Sequence, residues 1–218
     1  SYVRGNIAAR QGHLKSALTY FDEAIQVDPT HVRARLNRSS IHMANEDAQA
    51  ALDDAKVLLE LAPGLALAKL RKAEANMMLS NWEEAKDDLE QIVEDAPHHH
   101  HALTQLASCF MAMDRPEKAE APLNEALRLA PDHTEAWHQR GLLYLDWAQE
   151  ESALNDFEAA VRCDGNHLGA RLRIAAIHHK AERFPEALGA WNGVLAIEPE
   201  HTVARRRREE CEMALATI

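Results

Sequence analysis

Along this 218-residue chain, small and apolar residues return to the same register every 34 positions. The strictest column is Ala17, Ala51, Ala85, Ala119, Ala153 and Ala187. A second is always small: Gly5, Ser39, Ala73, Ala107, Gly141 and Ala175. A third, Ile25, Leu59, Val93, Leu127, Val161 and Leu195, is apolar throughout. A fourth, Phe21, Ala55, Leu89, Leu123, Phe157 and Trp191, is mostly large. Pro29, Pro63, Pro97, Pro131 and Pro199 punctuate the pattern, with Gly165 in the remaining slot. An internal period of this length marks a stacked-repeat architecture. Apolar positions between the breaks follow helical spacing, and each period predicts two helices of about 14 residues. In the second repeat they fall over 32–45 and 48–61.

The columns have a simple packing logic. Antiparallel helices approach closely only where side chains are small, so the small column should face the alanine column of the next helix. Large residues one turn on then fill the space between repeats. Pro lacks a helical donor and Gly tolerates a left-handed cap, so either ends the second helix. The last stretch, 202–216, reads as a solvating cap helix, which fits its charged run from Arg205 to Glu210.

The period, the columns and the text of the fifth repeat resemble the tetratricopeptide repeat family. The resemblance is carried by Trp137, Arg140, Gly141, Tyr144, Ala153, Phe157 and Ala160, with Gly165 where the family usually has Pro. It covers essentially the whole chain. It implies an all-α, right-handed superhelix, or α-solenoid, in one array over 1–218. Its six repeats would be 1–31, 32–65, 66–99, 100–133, 134–167 and 168–201, capped by 202–216. It also implies a concave groove, lined by the first helix of each repeat, that holds peptides or partner segments.

On that register Leu36, Met43, Leu70, Met77 and Met111 form an apolar stripe on the groove side. Methionine is flexible and polarisable and suits varied apolar partners. A methionine column at helical spacing reads equally well as packing between helices. Beside it runs a polar ladder, Asn37, Arg71, Gln105, Gln139, Arg173 and Arg207, with Asn6 in an adjoining column. Amides can hold a peptide backbone, and an arginine fork fits a carboxylate. Leu36-Asn37-Arg38 and Leu70-Arg71-Lys72-Ala73 are similar to the co-chaperone subclass, which clamps the C-terminal carboxylate and acidic tail of heat-shock chaperones. That similarity puts Asn6, Asn37 and Arg71 at clamp positions. The subclass's two lysine positions hold Tyr2 and Leu67, which removes most of the positive field an acidic tail needs.

Composition narrows the function classes. The net charge of −11 disfavours nucleic acid as a partner, because phosphate binding needs a basic face. The run Arg205–Arg208 is balanced by Glu209, Glu210 and Glu212. No apolar stretch is long enough to span a bilayer. Three scattered cysteines fit a reducing compartment, which favours the cytoplasm. The chain starts at Ser1 within a helical pattern, as a trimmed chain would, so a targeting segment can be missing. His98–His101 reads as a solvated turn, because the register runs unbroken through it, and His138 with Glu135 reads as an ordinary helix-surface pair. Cys109, Cys163 and Cys211 all sit at packing positions. No phosphate loop, HExxH or nucleophile elbow occurs. The expectation is therefore a protein-binding adaptor, not an enzyme, with no metal and no cofactor. The alternatives are a self-assembling homo-oligomeric scaffold, a co-chaperone domain for chaperone C-termini or non-native chains, and the substrate-presenting part of a larger enzyme.

Overall fold

A computed structural model describes residues 1–217. Those residues form thirteen α-helices and one 3-10 turn, with no strand among them. They fall into two compact units, Ser1–Met113 and the residues from Asp114 onward. In the first, α1 (Tyr2–Arg10) pairs with α2 (Leu14–Val27), α3 (Val32–Ala44) with α4 (Ala48–Leu61), and α5 (Ala66–Met78) with α6 (Trp82–Asp95). Helix α7 (His100–Ala112) packs on α6. In the second, a 3-10 turn, Pro116–Lys118, leads into α8 (Glu120–Leu129), which packs on α9 (Thr134–Asp146). There α9 pairs with α10 (Glu150–Cys163) and α11 (Leu168–Lys180) with α12 (Phe184–Ile197), and α13 (Thr202–Ala216) lies against α12.

The columns are the core. All six alanines of the strict column are fully buried, and so is every member of the small column. The fit between columns is tight enough to explain where glycine falls. A Cβ added to Gly141 would lie 2.7 Å from Phe157 Cε1, and one on Gly5 would lie 2.6 Å from Phe21 Cε1. Glycine therefore stands opposite phenylalanine, while Ala73 stands in the repeat that carries Leu89. The third apolar column is only partly interior: Leu59, Val93, Val161 and Leu195 are half-buried. The preceding residues, Leu58, Ile92, Ala160 and Val194, are the ones inside.

Helix ends carry two further columns. The first helix of each pair ends in a left-handed residue: Gly12, Glu46, Ser80, Asp114, Ala148 and Glu182 all have φ between 55° and 77°. In five of the six this closes a Schellman turn, as when Gln149 N donates to Tyr144 O at 2.8 Å and Ala148 N to Leu145 O at 3.0 Å. The next first helix is then opened by histidine. His31, His99, His167 and His201 each accept, through Nδ1, the backbone N–H three residues on, at 3.0–3.2 Å. Four of the thirteen histidines are thus N-caps, and His99 is the capping member of the His98–His101 run. The second helix of the fourth repeat is shorter than expected. Pro122 has no N–H to complete the first turn, so the chain takes a 3-10 turn and α8 begins only at Glu120.

Ion pairs tie first helices to second helices. Arg38 forks onto Asp54 at 2.8 and 2.5 Å, Lys72 meets Asp88 at 2.7 Å, and Arg140 forks onto Asp156 at 2.7 and 2.9 Å. Asp54 and Asp156 are almost fully buried. Arg35, Trp137, Arg171 and Arg205 each donate to the carbonyl at the break six residues earlier, at 2.6–3.2 Å.

Candidate functional site

In the first unit the expected groove residues come together, and they bond first to one another. Asn37 Nδ2 donates to Asn6 Oδ1 at 2.7 Å, Arg71 Nη2 to Ser40 Oγ at 3.2 Å, and Gln105 Nε2 to Glu74 Oε1 at 3.3 Å. Each bond joins one first helix to the next, so the ladder is a set of cross-repeat ties. Arg71 also meets Glu74 at 2.7 Å. Burial pushes the Glu74 carboxyl up, but hydrogen bonding from His101, the Arg71 charge and Gln105 together hold it below the usual range. Glu74 thus already takes one arm of the guanidinium that a carboxylate ligand would seek, and Ser40 takes another. Sequence reasoning missed Glu74, whose signal was a lone acid one turn from Arg71.

The open part of this surface lies at the other end of the ladder. A cavity of about 410 Å³ is lined by Tyr2, Asn6, Ala9, Arg10, Phe21, Asn37, Ser40 and Ile41. Arg10 is exposed on its rim and has no ion-pair partner among the described residues. Of the apolar stripe, Leu36, Met43, Leu70, Met77 and Met111 are all half-buried. Met43 packs against the buried cluster of Ala51, Leu52 and Ala75, so part of its surface belongs to the core. In the second unit Gln139 donates to Glu135 on its own helix at 2.6 Å, and Arg207 meets Glu210 at 2.8 Å. Arg173 is exposed.

Three models of the tetratricopeptide repeat match the chain, over residues 2–66, 77–141 and 134–167. This chain belongs to the tetratricopeptide repeat family. Solved structures agree on the fold. A thermophilic repeat protein from Thermus thermophilus, TTC0263, superposes with a TM-score of 0.69 at 20% identity, over 84% of this chain and 99% of that one. A chain of the APC/C hetero-tetramer Cut9-Hcn1 gives 0.81 at 17% identity, over 95% and 41%. YrrB, described as having an unusual peptide-binding site, gives 0.60 at 22% identity, over 87% and 97%. No curated protein matches the sequence. Tetratricopeptide repeats are protein-interaction modules, and family membership gives this chain that role.

The cysteines and the arginine run of the tetratricopeptide array have these surroundings. Cys211 Sγ lies 3.3 Å from His179 Nδ1, and His179 Nε2 lies 3.3 Å from Glu210. Thiol, imidazole and carboxylate are thus aligned, but Cys211 is fully buried and burial pushes its thiol up, away from the thiolate a nucleophile needs. Burial likewise raises the Cys109 thiol to about 11. Cys163 is exposed at the end of α10, not at a packing position, because the helix ends there. The arginines of 205–208 each meet a glutamate: Arg205 with Glu200, Arg206 and Arg207 with Glu210, and Arg208 with Glu212.

Proposed function

We propose that the first unit binds an extended segment of a partner protein in the groove of its first helices, with the cavity beside α1 and α3 as the anchoring subsite. The observation that carries this reading is the cavity's lining: two amides, one unpaired guanidinium and the apolar surfaces of Tyr2 and Ala9 over a floor of buried Phe21 and Ile41. Asn6 and Asn37 keep a free donor and acceptor between them after their mutual bond, enough to hold a peptide group. Arg10 takes a partner carboxylate, since Arg71 is held by Glu74. Leu36, Met43, Leu70, Met77 and Met111 extend the apolar contact along the groove. The peptide-binding site of YrrB supports the reading by analogy of fold. A chaperone-tail clamp built on Arg71 is disfavoured, because an acidic tail would meet Glu74.

Calorimetric titration separates these ideas. One peptide set carries free acidic C-termini and the other internal apolar segments, each run against wild type, Arg10→Ala, Asn37→Ala, Arg71→Ala and Met77→Ala. The proposal expects binding that Arg10→Ala or Asn37→Ala weakens and Arg71→Ala spares. Loss with Arg71→Ala, and at high salt, would return the clamp reading. A second reading, self-association, is favoured by the apolar exposure of α1 and α2, where Val3, Ile7 and Val27 are 67, 51 and 85% exposed. Sedimentation velocity across concentration tests it, with Ile7→Lys expected to abolish any oligomer.

A further inference from the structure

Glu135 and His138 stand one turn apart on α9, and His167 caps α11 beside them. One ligand atom from each lies within 4.8 Å of the other two. Glu135 Oε1 is 3.9 Å from His138 Nδ1, and its Oε2 is 3.8 Å from His167 Nε2. The two imidazoles lie with centroids 4.7 Å apart. Gln139 donates to Glu135 Oε1 at 2.6 Å, which steadies the carboxylate and leaves Oε2 directed at His167.

Two of the three break the repeat register, while His167 keeps to the histidine-cap column. Positions equivalent to His138 hold Tyr2, Leu36, Leu70, Thr104 and Leu172, and positions equivalent to Glu135 hold Arg33, Leu67, His101, Gly169 and Val203. An imidazole therefore stands in a mainly leucine column, with Nδ1 buried and without a hydrogen bond. Such an atom is costly and wants a reason. Room for the ring comes from Gly169, where a Cβ would lie 3.2 Å from His138 Nε2. Nε2 thus lies toward α11, and Nδ1 lies 3.9 Å from Glu135 Oε1.

We propose that Glu135, His138 and His167 bind one divalent ion of the zinc class through a carboxylate oxygen, His138 Nδ1 and His167 Nε2, with water as the fourth ligand. Two imidazoles and a carboxylate suit zinc, which takes such ligands at about 2.0–2.2 Å. Tetrahedral ligand atoms then lie roughly 3.3 Å apart, so ligand atoms now within 4.8 Å of one another draw in by up to about 1.5 Å. Glu135 is exposed and can make part of that shift. His167 leaves a distinctive mark. Its Nδ1 accepts from Ala170 N at 3.0 Å, so a neutral ring carries its proton on Nε2. Metal at Nε2 moves that proton to Nδ1 and breaks the cap, lowering affinity by about 5-fold.

Zinc titration of the whole chain by calorimetry, in wild type and His138→Leu, tests the site. Leucine is the residue at equivalent positions 36, 70 and 172, so the variant should fold, as circular dichroism will show. The expected result is one zinc equivalent lost in His138→Leu, with any uptake by His98–His101 remaining, and binding at least about 10-fold weaker in Glu135→Gln. Hydrogen exchange at the Ala170 amide should quicken on zinc loading in wild type and stay unchanged in His138→Leu. A wild type that takes up no zinc, or a folded His138→Leu that takes up as much, overturns the proposal.

Discussion

The Arg140–Asp156 pair allows a sharp test of how these repeats are held together. Asp156 is 4% exposed, and the guanidinium forks onto it at 2.7 and 2.9 Å. Arg140 also donates to Asn124 at 2.7 Å and lies over the Trp137 and Tyr144 rings, 4.9 and 5.6 Å from their centroids. The next repeat does without the pair, carrying Ile174 and Ala190 at the equivalent positions. Arg140→Ile strands a buried carboxylate, and removing one partner of such a pair costs about 3–5 kcal/mol. Asp156→Ala leaves a cation that keeps Asn124, two rings and some solvent, at a cost of about 1–3 kcal/mol. The double variant copies the sixth repeat and should fall within about 1 kcal/mol of wild type, because replacing a whole buried pair by apolar groups is often neutral. Native-state hydrogen exchange of α9 and α10 amides reads each value locally, which suits a chain of two compact units better than one global transition. The reasoning fails if Arg140→Ile costs less than about 1 kcal/mol, or if the double variant is as unstable as the two singles added together.

Three further predictions rest on separate features. Gly141→Ala puts a methyl 2.7 Å from Phe157 Cε1 and should destabilise the second unit by about 1–3 kcal/mol in urea denaturation, with Gly141→Ala/Phe157→Leu recovering much of the loss. Ala148→Gly relieves a residue held at φ 57° and should stabilise by about 0.5–1 kcal/mol net of glycine's own entropy, whereas Gly12→Ala, at φ 77°, should cost a similar amount. Glu74 is held below its usual range, so its contribution is fully present above the unfolded carboxyl pKa and is lost as pH falls through the lower folded value. Acid unfolding of wild type, compared with Glu74→Gln, should therefore show a steeper loss below about pH 4.5 that the variant lacks.

How much of this was legible in the sequence depended on whether a position's chemistry or its conformation recurs. The alanine and small columns are chemically uniform, so Ala17 through Ala187 announced the fold, and helix bounds such as 48–61 could be read directly. The left-handed column is uniform only in backbone. Gly12, Glu46, Ser80, Asp114, Ala148 and Glu182 share a φ but no side-chain class, so no residue pattern reveals them. The histidine caps lay between these cases: histidines near the breaks suit turns and N-caps, but the run His98–His101 read as a solvated turn, and only the fold singles out His99. Site residues were legible as positions and not as states. Asn37, Arg71 and Gln105 each bond to the preceding first helix, and whether a donor is free depends on a neighbour 3 or 31 residues away, as Arg71 shows with Glu74 and Ser40. The same limit hid His167, which completes a cluster with Glu135 and His138 from the far side of a helix pair. Spacing within one helix suggests pairs, while a third ligand one repeat away emerges only when the stack brings α11 against α9. In a repeat protein, then, departures from the register carry the most specific information: His138 in a leucine column and Gly169 beneath it say more about this chain than the positions that keep the pattern.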